Sequence, residues 1–402
     1  MISTMTLISR PLHVTSSIPH IHMPPLKALP TTAPPPPKPA YILRGHLTPI
    51  HAFTFLSNNQ YLLTADASGI CILWLLSTRR PLAVWSAHTN SILSVAEWVP
   101  RGPASSDRRI ITHGRDNRIR VWKLPRAEDN VATALPVDEG AVVGKAPWMV
   151  ASLEVNALNF CGFGFCQEQE TTDDDAEYRD ALIAVPSALD SQAIDIFTLP
   201  STRRVYTRIS PPEKTGMAMA LALRFIDEET LTLIAGYESG HVVVFRLVQE
   251  KWEVSYSAQP HSQPILSLSL FALQTGYFLT TSADSLIIQH PLGLGEVQKL
   301  DTRHAGLQSV CIRSDGKIFA TAGWDGRFRI FSTKGKMKEL AVLKWHTVGC
   351  YVVTFAEILD EKEGEGEKGE KSVELARVRR ESRRHWVAGG AKDGKVSLWE
   401  VF

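Results

Sequence analysis

Apolar and polar residues alternate with a period of two through most of this chain, in short runs closed by Gly, Asn, Asp or Ser. Lys317-Ile-Phe-Ala-Thr-Ala322 and Arg327-Phe-Arg-Ile-Phe331 form one such pair around Asp325-Gly326. That period, punctuated by turn residues, predicts strands joined by tight hairpins. It excludes a helical repeat, in which apolar positions would recur every three to four residues.

A six-residue step from an aspartate to an aromatic sets the register: Asp116 to Trp122, Asp325 to Phe331, Asp393 to Trp399. Followed along the chain, the step cuts it into seven units. Their aspartate positions hold Ser68, Asp116, Ser191, Ser239, Asp284, Asp325 and Asp393, and their aromatic positions Trp74, Trp122, Phe197, Phe245, His290, Phe331 and Trp399. Gly69, Asn117, Gly240, Gly326 and Gly394 follow the aspartate position, and these residue types accept the positive φ of a tight turn. Upstream, His46, His88, His261, His304 and His346 introduce another apolar strand, and a fourth strand follows the aromatic, as in Arg79–Trp85. Four strands in a unit of about 45 residues, repeated round a ring, predict an all-β, seven-bladed propeller over residues 39–402.

The seventh unit ends at Trp399-Glu-Val-Phe402 without a fourth strand, and Pro39–Arg44 is a strand with no unit of its own. Pairing the two closes the ring and removes two open edges. Two units are lengthened between their first and second strands, the third by about 167–180 and the seventh by about 359–384. Both segments are runs of charge, Asp173-Asp-Asp175 and Arg377–Arg384 among them, and read as solvated loops. An import signal or nucleic-acid patch is the sharper reading of Arg377–Arg384.

Composition narrows the function classes. Of 402 residues 44% are apolar and 21% charged, with a net charge of +1, which argues against whole-surface binding of nucleic acid or acidic membrane. No apolar run reaches the ~20 residues of a membrane-spanning helix. Five scattered cysteines fit reduced thiols better than a disulfide framework. Residues 1–38 hold no acidic residue and end in Pro34–Pro37 and Lys38, which predicts a disordered, proline-rich leader; a mitochondrial presequence is the alternative. His20 and His22 lie in that leader without neighbouring ligands.

His88, Thr112, Asp116 and Trp122 have the look of a catalytic set, yet copies recur at His261, Thr280, Asp284, at His304, Thr321, Asp325, and at His346, Asp393, Trp399. An enzyme does not repeat its active site, so these residues read as a structural hydrogen-bond relay. With Ser68, Ser191 and Ser239 in place of aspartate, blades one, three and four are expected to lack the charged form. No Gly-x-Ser-x-Gly nucleophile, dinucleotide fingerprint or phosphate loop is present, and Cys161 and Cys166 have no second pair to complete a zinc site. No catalytic residue, cofactor or metal is expected. The exposed candidates are the residues before each aspartate position, chiefly Arg115, Asp190, Glu238, Trp324 and Lys392, as a partner-binding face, with Trp324 an interface anchor or a cap on the central channel.

Several stretches resemble the fungal ASTRA-associated WD-repeat protein family, within the WD-repeat propellers. They are Pro39–His46, Thr112–Leu124, Val155–Cys161, Ala322–Gly326 and Lys344–His346. The resemblance implies a non-enzymatic scaffold in a nuclear complex linked to chromatin remodelling and to stabilising phosphatidylinositol-3-kinase-related kinases. The implied partners are helical-repeat scaffold proteins, AAA+ ATPases and such a kinase, with no direct contact to nucleic acid, membrane or metal. Two other readings stay open. One is a reader of a short peptide such as a histone tail, for which Asp190 and Glu238 offer acid but the sequence offers no aromatic cage. The other is a G-protein β-like signalling subunit, which the proline-rich leader disfavours.

Overall fold

Each alternating run becomes a strand, and the strands gather into seven four-stranded antiparallel sheets. The architecture comes from a computed structural model, which describes residues 37–100, 107–138, 145–156, 160–167, 181–226, 230–271, 276–359 and 373–401. The leader through residue 36, His20 and His22, and the acidic run 173–175 lie outside the described residues. In blade one the strands are Ile50–Leu56, Tyr61–Asp66, Ile70–Leu75 and Arg80–Ser86, ordered from the channel outward. The other innermost strands are Ile92–Trp98, Gly164–Gln167, Ala218–Phe225, Ile265–Phe271, Leu307–Ile312 and Cys350–Phe355. The five turn residues expected at positive φ adopt it: Gly69 at 89°, Asn117 at 64°, Gly240 at 83°, Gly326 at 78° and Gly394 at 71°.

The core is divided among the seams between blades. Seven clusters of buried apolar residues form, and each draws on two neighbouring blades. Leu279 and Ile287 of blade five, for example, meet Leu307, Phe319 and Phe331 of blade six. The last seam depends on Tyr41–Arg44, which pairs antiparallel with Lys395–Glu400 as the fourth strand of blade seven. Leu43 of that strand is 2% exposed and packs with Ile50, Trp74, Trp386 and Leu398 across the join.

Two features depart from the sequence reading. Residues 359–384 are not all loop: Val373–Ser382 is an α-helix, with Leu375 and Val373 exposed and Ser382 buried. Its C-terminal end is tied to the ring, since Asn59 Nδ2 donates to the Ser382 carbonyl at 3.0 Å and Arg384 lies over Trp386. A third lengthened unit was hidden because its extra residues carry no charge block. In the connection between the third and outer strands of blade two, residues 124–148, the described part through 138 turns back over blade one. There Val84 N donates to the Ala132 carbonyl at 2.6 Å, and Leu135 packs beside Gly45 and Trp74. An otherwise open outer edge is thereby covered.

Burial predicts where the ring is sensitive. Leu43→Ala should cost about 2–4 kcal/mol, the usual range for truncating a fully buried leucine. Leu47, 70% exposed four residues on, should tolerate alanine within about 0.5 kcal/mol. Urea unfolding followed by tryptophan fluorescence reads both; equal losses would place Leu43 outside the core.

Candidate functional site: the relay and the channel mouth

In blade two the relay assembles from three elements. His88 enters from the link after blade one, Thr112 sits on the second strand Arg109–Gly114, and Trp122 on the third strand Arg118–Lys123. His88 Nδ1 lies 2.8 Å from Asp116 Oδ1, His88 Nε2 lies 2.8 Å from Thr112 Oγ1, and Trp122 Nε1 donates to the same hydroxyl at 2.9 Å. The donors run one way. The indole N–H feeds the hydroxyl, the hydroxyl feeds an unprotonated Nε2, and Nδ1–H feeds the carboxylate, so every buried polar atom is paired by a neutral histidine. Gly114 makes room, since a Cβ there would fall 2.3 Å from the His88 ring. Burial pulls the His88 pKa below its ordinary value despite Asp116. Burial alone would raise Asp116, but the bond from His88 holds it below the usual carboxylate range.

Blade five repeats the arrangement with His290 in place of tryptophan. His261 meets Asp284 at 3.0 Å and Thr280 at 2.9 Å, and His290 Nε2 lies 3.0 Å from Thr280 Oγ1. In blade seven His346 meets Asp393 at 3.1 Å, but its other nitrogen meets Ser397 at 3.1 Å, and Trp399 donates to that serine. Gly389 occupies the threonine position there, and the hydroxyl comes from its cross-strand partner Ser397.

Two expectations are corrected. Blade one has a charged relay after all: His46 Nδ1 lies 2.8 Å from Asp66 Oδ2, with Thr64 and Trp74 completing the set. The carboxylate comes from the end of the second strand, two residues before the turn, where blade two has Gly114. Ser68 therefore does not remove it; its hydroxyl donates to Asp66 at 2.7 Å. Blade six does not assemble His304, Thr321 and Asp325. His304 is exposed, Thr321 Oγ1 makes no hydrogen bond among the described residues, and buried Arg329 pairs with Asp325 at 2.6 Å. A guanidinium four residues downstream has taken the histidine's place. In blades three and four the threonine and aromatic positions hold Val185 with Phe197 and Ala235 with Phe245, apolar pairs that need no relay.

The hairpin-turn face carries the other candidates, and it is chemically lopsided. Arg115 of blade two and Lys392 of blade seven have no ion pair among the described residues. Arg115 instead lies with its guanidinium 4.2 Å from the centre of the Phe160 ring. Asp190 and Glu238 stand on blades three and four, where each accepts a nearby backbone N–H, from Gln192 and Met217. Trp324 of blade six is 48% exposed and leans over the channel mouth, its indole N–H donating to Gln308 Oε1 at 2.8 Å. It borders a cavity of about 350 Å³ with His51, Ile92, Leu93, Phe160, Gln308 and Tyr351. Aromatic residues thus do converge at the mouth, contrary to the sequence reading.

A β-bulge explains how. The inner and second strands slip register at the second inner-strand residue in six blades, between Ile50 and Ala52, Ile92 and Ser94, Ala218 and Ala220, Ile265 and Ser267, Leu307 and Ser309, and Cys350 and Val352. The extra residue is turned out of the alternation. These residues are His51, Leu93, Met219, Leu266, Gln308 and Tyr351, and all six line the mouth of the channel. A strand opening of apolar, any residue, then Ala or Ser marks five of the six in the sequence. Burial lowers the His51 pKa, and Arg115 adds to that against an opposing pull from Asp66.

The comparisons with known proteins agree with this architecture. The family model described as ASTRA-associated protein 1 matches residues 39–348. A protein of that name from Aspergillus flavus is 42% identical, covering 93% of this chain and 99% of its own. Its Schizosaccharomyces pombe counterpart is 30% identical, covering 91% and 99%. Among solved structures, Raptor of Chaetomium thermophilum aligns with a TM-score of 0.63 at 14% identity, over 91% of this chain and 28% of Raptor, a likeness of fold alone.

Two measurements test the relay. Asp116→Ala and Asp66→Ala should each cost on the order of 1–3 kcal/mol, because each strands a buried histidine; an unchanged melting temperature for Asp66→Ala would remove it from the relay. Acid should also destabilise the fold. Unfolded histidine titrates near ~6.5, so below that pH the unfolded chain takes up protons that buried neutral histidines refuse, and stability falls. The relay carboxylates, held low, add to the loss at still lower pH. His113 contributes most plainly: it is fully buried, neither ring nitrogen has a hydrogen-bond partner among the described residues, and its pKa is pushed down to about 3. His113→Leu should recover roughly 2 kcal/mol of the loss near pH 5, read from unfolding curves at pH 5 and 7.5; an unaltered pH slope would count against it.

The family model spans most of the propeller and the relatives match nearly end to end, so the chain belongs to the ASTRA-associated protein 1 family.

Proposed function

We propose that the chain is a non-catalytic scaffold subunit of the ASTRA complex, a rigid ring that presents its hairpin-turn face to other subunits. The observation that carries this reading is end-to-end similarity to proteins named for that association, 42% identical over 93% of this chain. The relay residues support it by being consumed in holding the ring, each bonded to the next and repeated in blade after blade. The expected partners are helical-repeat scaffold proteins, AAA+ ATPases and a phosphatidylinositol-3-kinase-related kinase, and the expected compartment is the nucleus. Chromatin remodelling and kinase stabilisation would then be properties of the assembly to which the ring contributes a docking platform.

Affinity purification of the tagged full chain followed by mass spectrometry tests the assignment. Recovery of helical-repeat and AAA+ subunits is the expected outcome, and purification without them would overturn it. Trp324→Ala and Arg115→Glu variants, run beside the wild type, should lower that recovery several-fold; unchanged recovery in both would move the docking surface off this face.

A further inference from the structure

The channel mouth shows what kind of segment it would receive. Trp324 is fixed before any partner arrives. One ring face rests on Gly306, whose φ of 81° and missing Cβ permit the contact, and its N–H is committed to Gln308. A side chain so restrained loses little entropy on binding, which favours an interface anchor. Beneath it the cavity of about 350 Å³ is walled by Tyr351, Leu93, Phe160 and His51. Such a volume accommodates one large apolar side chain. Phe160 remains 59% exposed, a large apolar area left open to solvent at the rim.

The charges left without an ion pair at that rim are of one sign. Arg115 is half-buried on Phe160, and its Nε is buried without a hydrogen-bond partner among the described residues. No carboxylate of the described residues lies within ion-pair distance of it. Lys392, on the blade-seven hairpin, is exposed and has no ion pair among the described residues, and its backbone is bonded to Gly349, two residues before Tyr351. The turn carboxylates Asp116, Asp284, Asp325 and Asp393 are taken up by histidine or arginine partners, and those without an ion pair among the described residues, Asp190 and Glu238, belong to blades three and four. A basic tail would meet Arg115, stacked on the Phe160 of the pocket, and Lys392 on the blade-seven hairpin, whereas a carboxylate gains the half-buried guanidinium.

We infer that the channel mouth binds an acidic peptide segment of a partner protein, inserting one large apolar side chain beside Trp324 while a neighbouring Asp or Glu pairs with Arg115. This deepens the scaffold reading above and rests on it, in that it names the recognition element for the same face. The charge pattern turns away from the histone-tail alternative, because a lysine-rich segment would be repelled at the pocket.

The test is a selection of random peptides displayed on phage against the full chain, followed by fluorescence polarisation with the recovered peptides. The expected result is enrichment of sequences with an aromatic or large aliphatic residue flanked by Asp or Glu. Their Kd should rise at least about tenfold in Arg115→Glu and in Trp324→Ala, and binding should weaken as salt is raised. Arg115→Lys, which keeps the charge, should retain most of the affinity, and Lys392→Glu serves as the second variant if Trp324→Ala melts early. Recovery of basic or unpatterned peptides, of none, or of peptides that bind the variants as well as the wild type would overturn the inference. Peptide failure alongside intact co-purification of subunits would leave the scaffold reading standing and remove only this pocket from it. Peptide success without co-purification would do the reverse.

Discussion

No blade of this ring has a core of its own. Each of the seven apolar clusters is completed by residues from two neighbours, so burial becomes favourable only when the circle is shut. The closing act is small, four residues, Tyr41–Arg44, laid against Lys395–Glu400. Through Leu43 and its contacts this pairing fixes blade seven against blade one, and with it the circumference. The diameter of the channel, the spacing of the mouth residues and the position of the relays all depend on that closure.

Within this frame the relay obeys a geometric rule that no single residue type enforces. Carboxylate, imidazole, hydroxyl and aromatic N–H must meet in a line, and the chain fills those places from different sources. Asp66 reaches the imidazole from a strand end and Asp116 from a turn; Ser397 supplies a hydroxyl from across the strand pair where Gly389 cannot; His290 replaces an indole; Arg329 replaces a histidine. Buried polar atoms drive these exchanges, because an unpaired one costs more than a paired one contributes. Where the site is apolar, as around Phe197 and Phe245, the demand disappears.

What could be read from the sequence follows the same division. Period-two alternation, turn residues at positive φ and the orphan strand at Tyr41 are local or arithmetical signals, and they yield the blade count, the strand positions and the closure. The sources of relay atoms are not local. Asp66 lies two positions from the aligned Ser68, and only the cross-strand geometry shows that its carboxylate lands in the same place. Blade six misleads in the opposite way, since His304 and Asp325 keep their spacing while Arg329 takes the bond. The channel mouth was hardest to see, because a bulge shifts one residue out of the alternation and places His51, Gln308 and Tyr351 together from blades far apart in the chain. The connection at 124–148 escaped for a plainer reason: its charges are mixed and scattered rather than blocked, and it is not repetitive.

The strand ends joined by the long connections all lie on one side of the ring. Lys123 and Met149, Gln167 and Ala181, and Phe355 and Trp386 are at the end of the blades opposite the hairpin turns, whereas the described links around the channel mouth are short. Such an arrangement separates two kinds of evolutionary freedom. Length can be gained or lost on one rim without moving an atom of the mouth, while the mouth changes only by substitution, one bulge residue at a time. Divergence in size and divergence in partner choice are thereby uncoupled, and a tag or reporter spliced into the variable rim would ride on the molecule as a passenger.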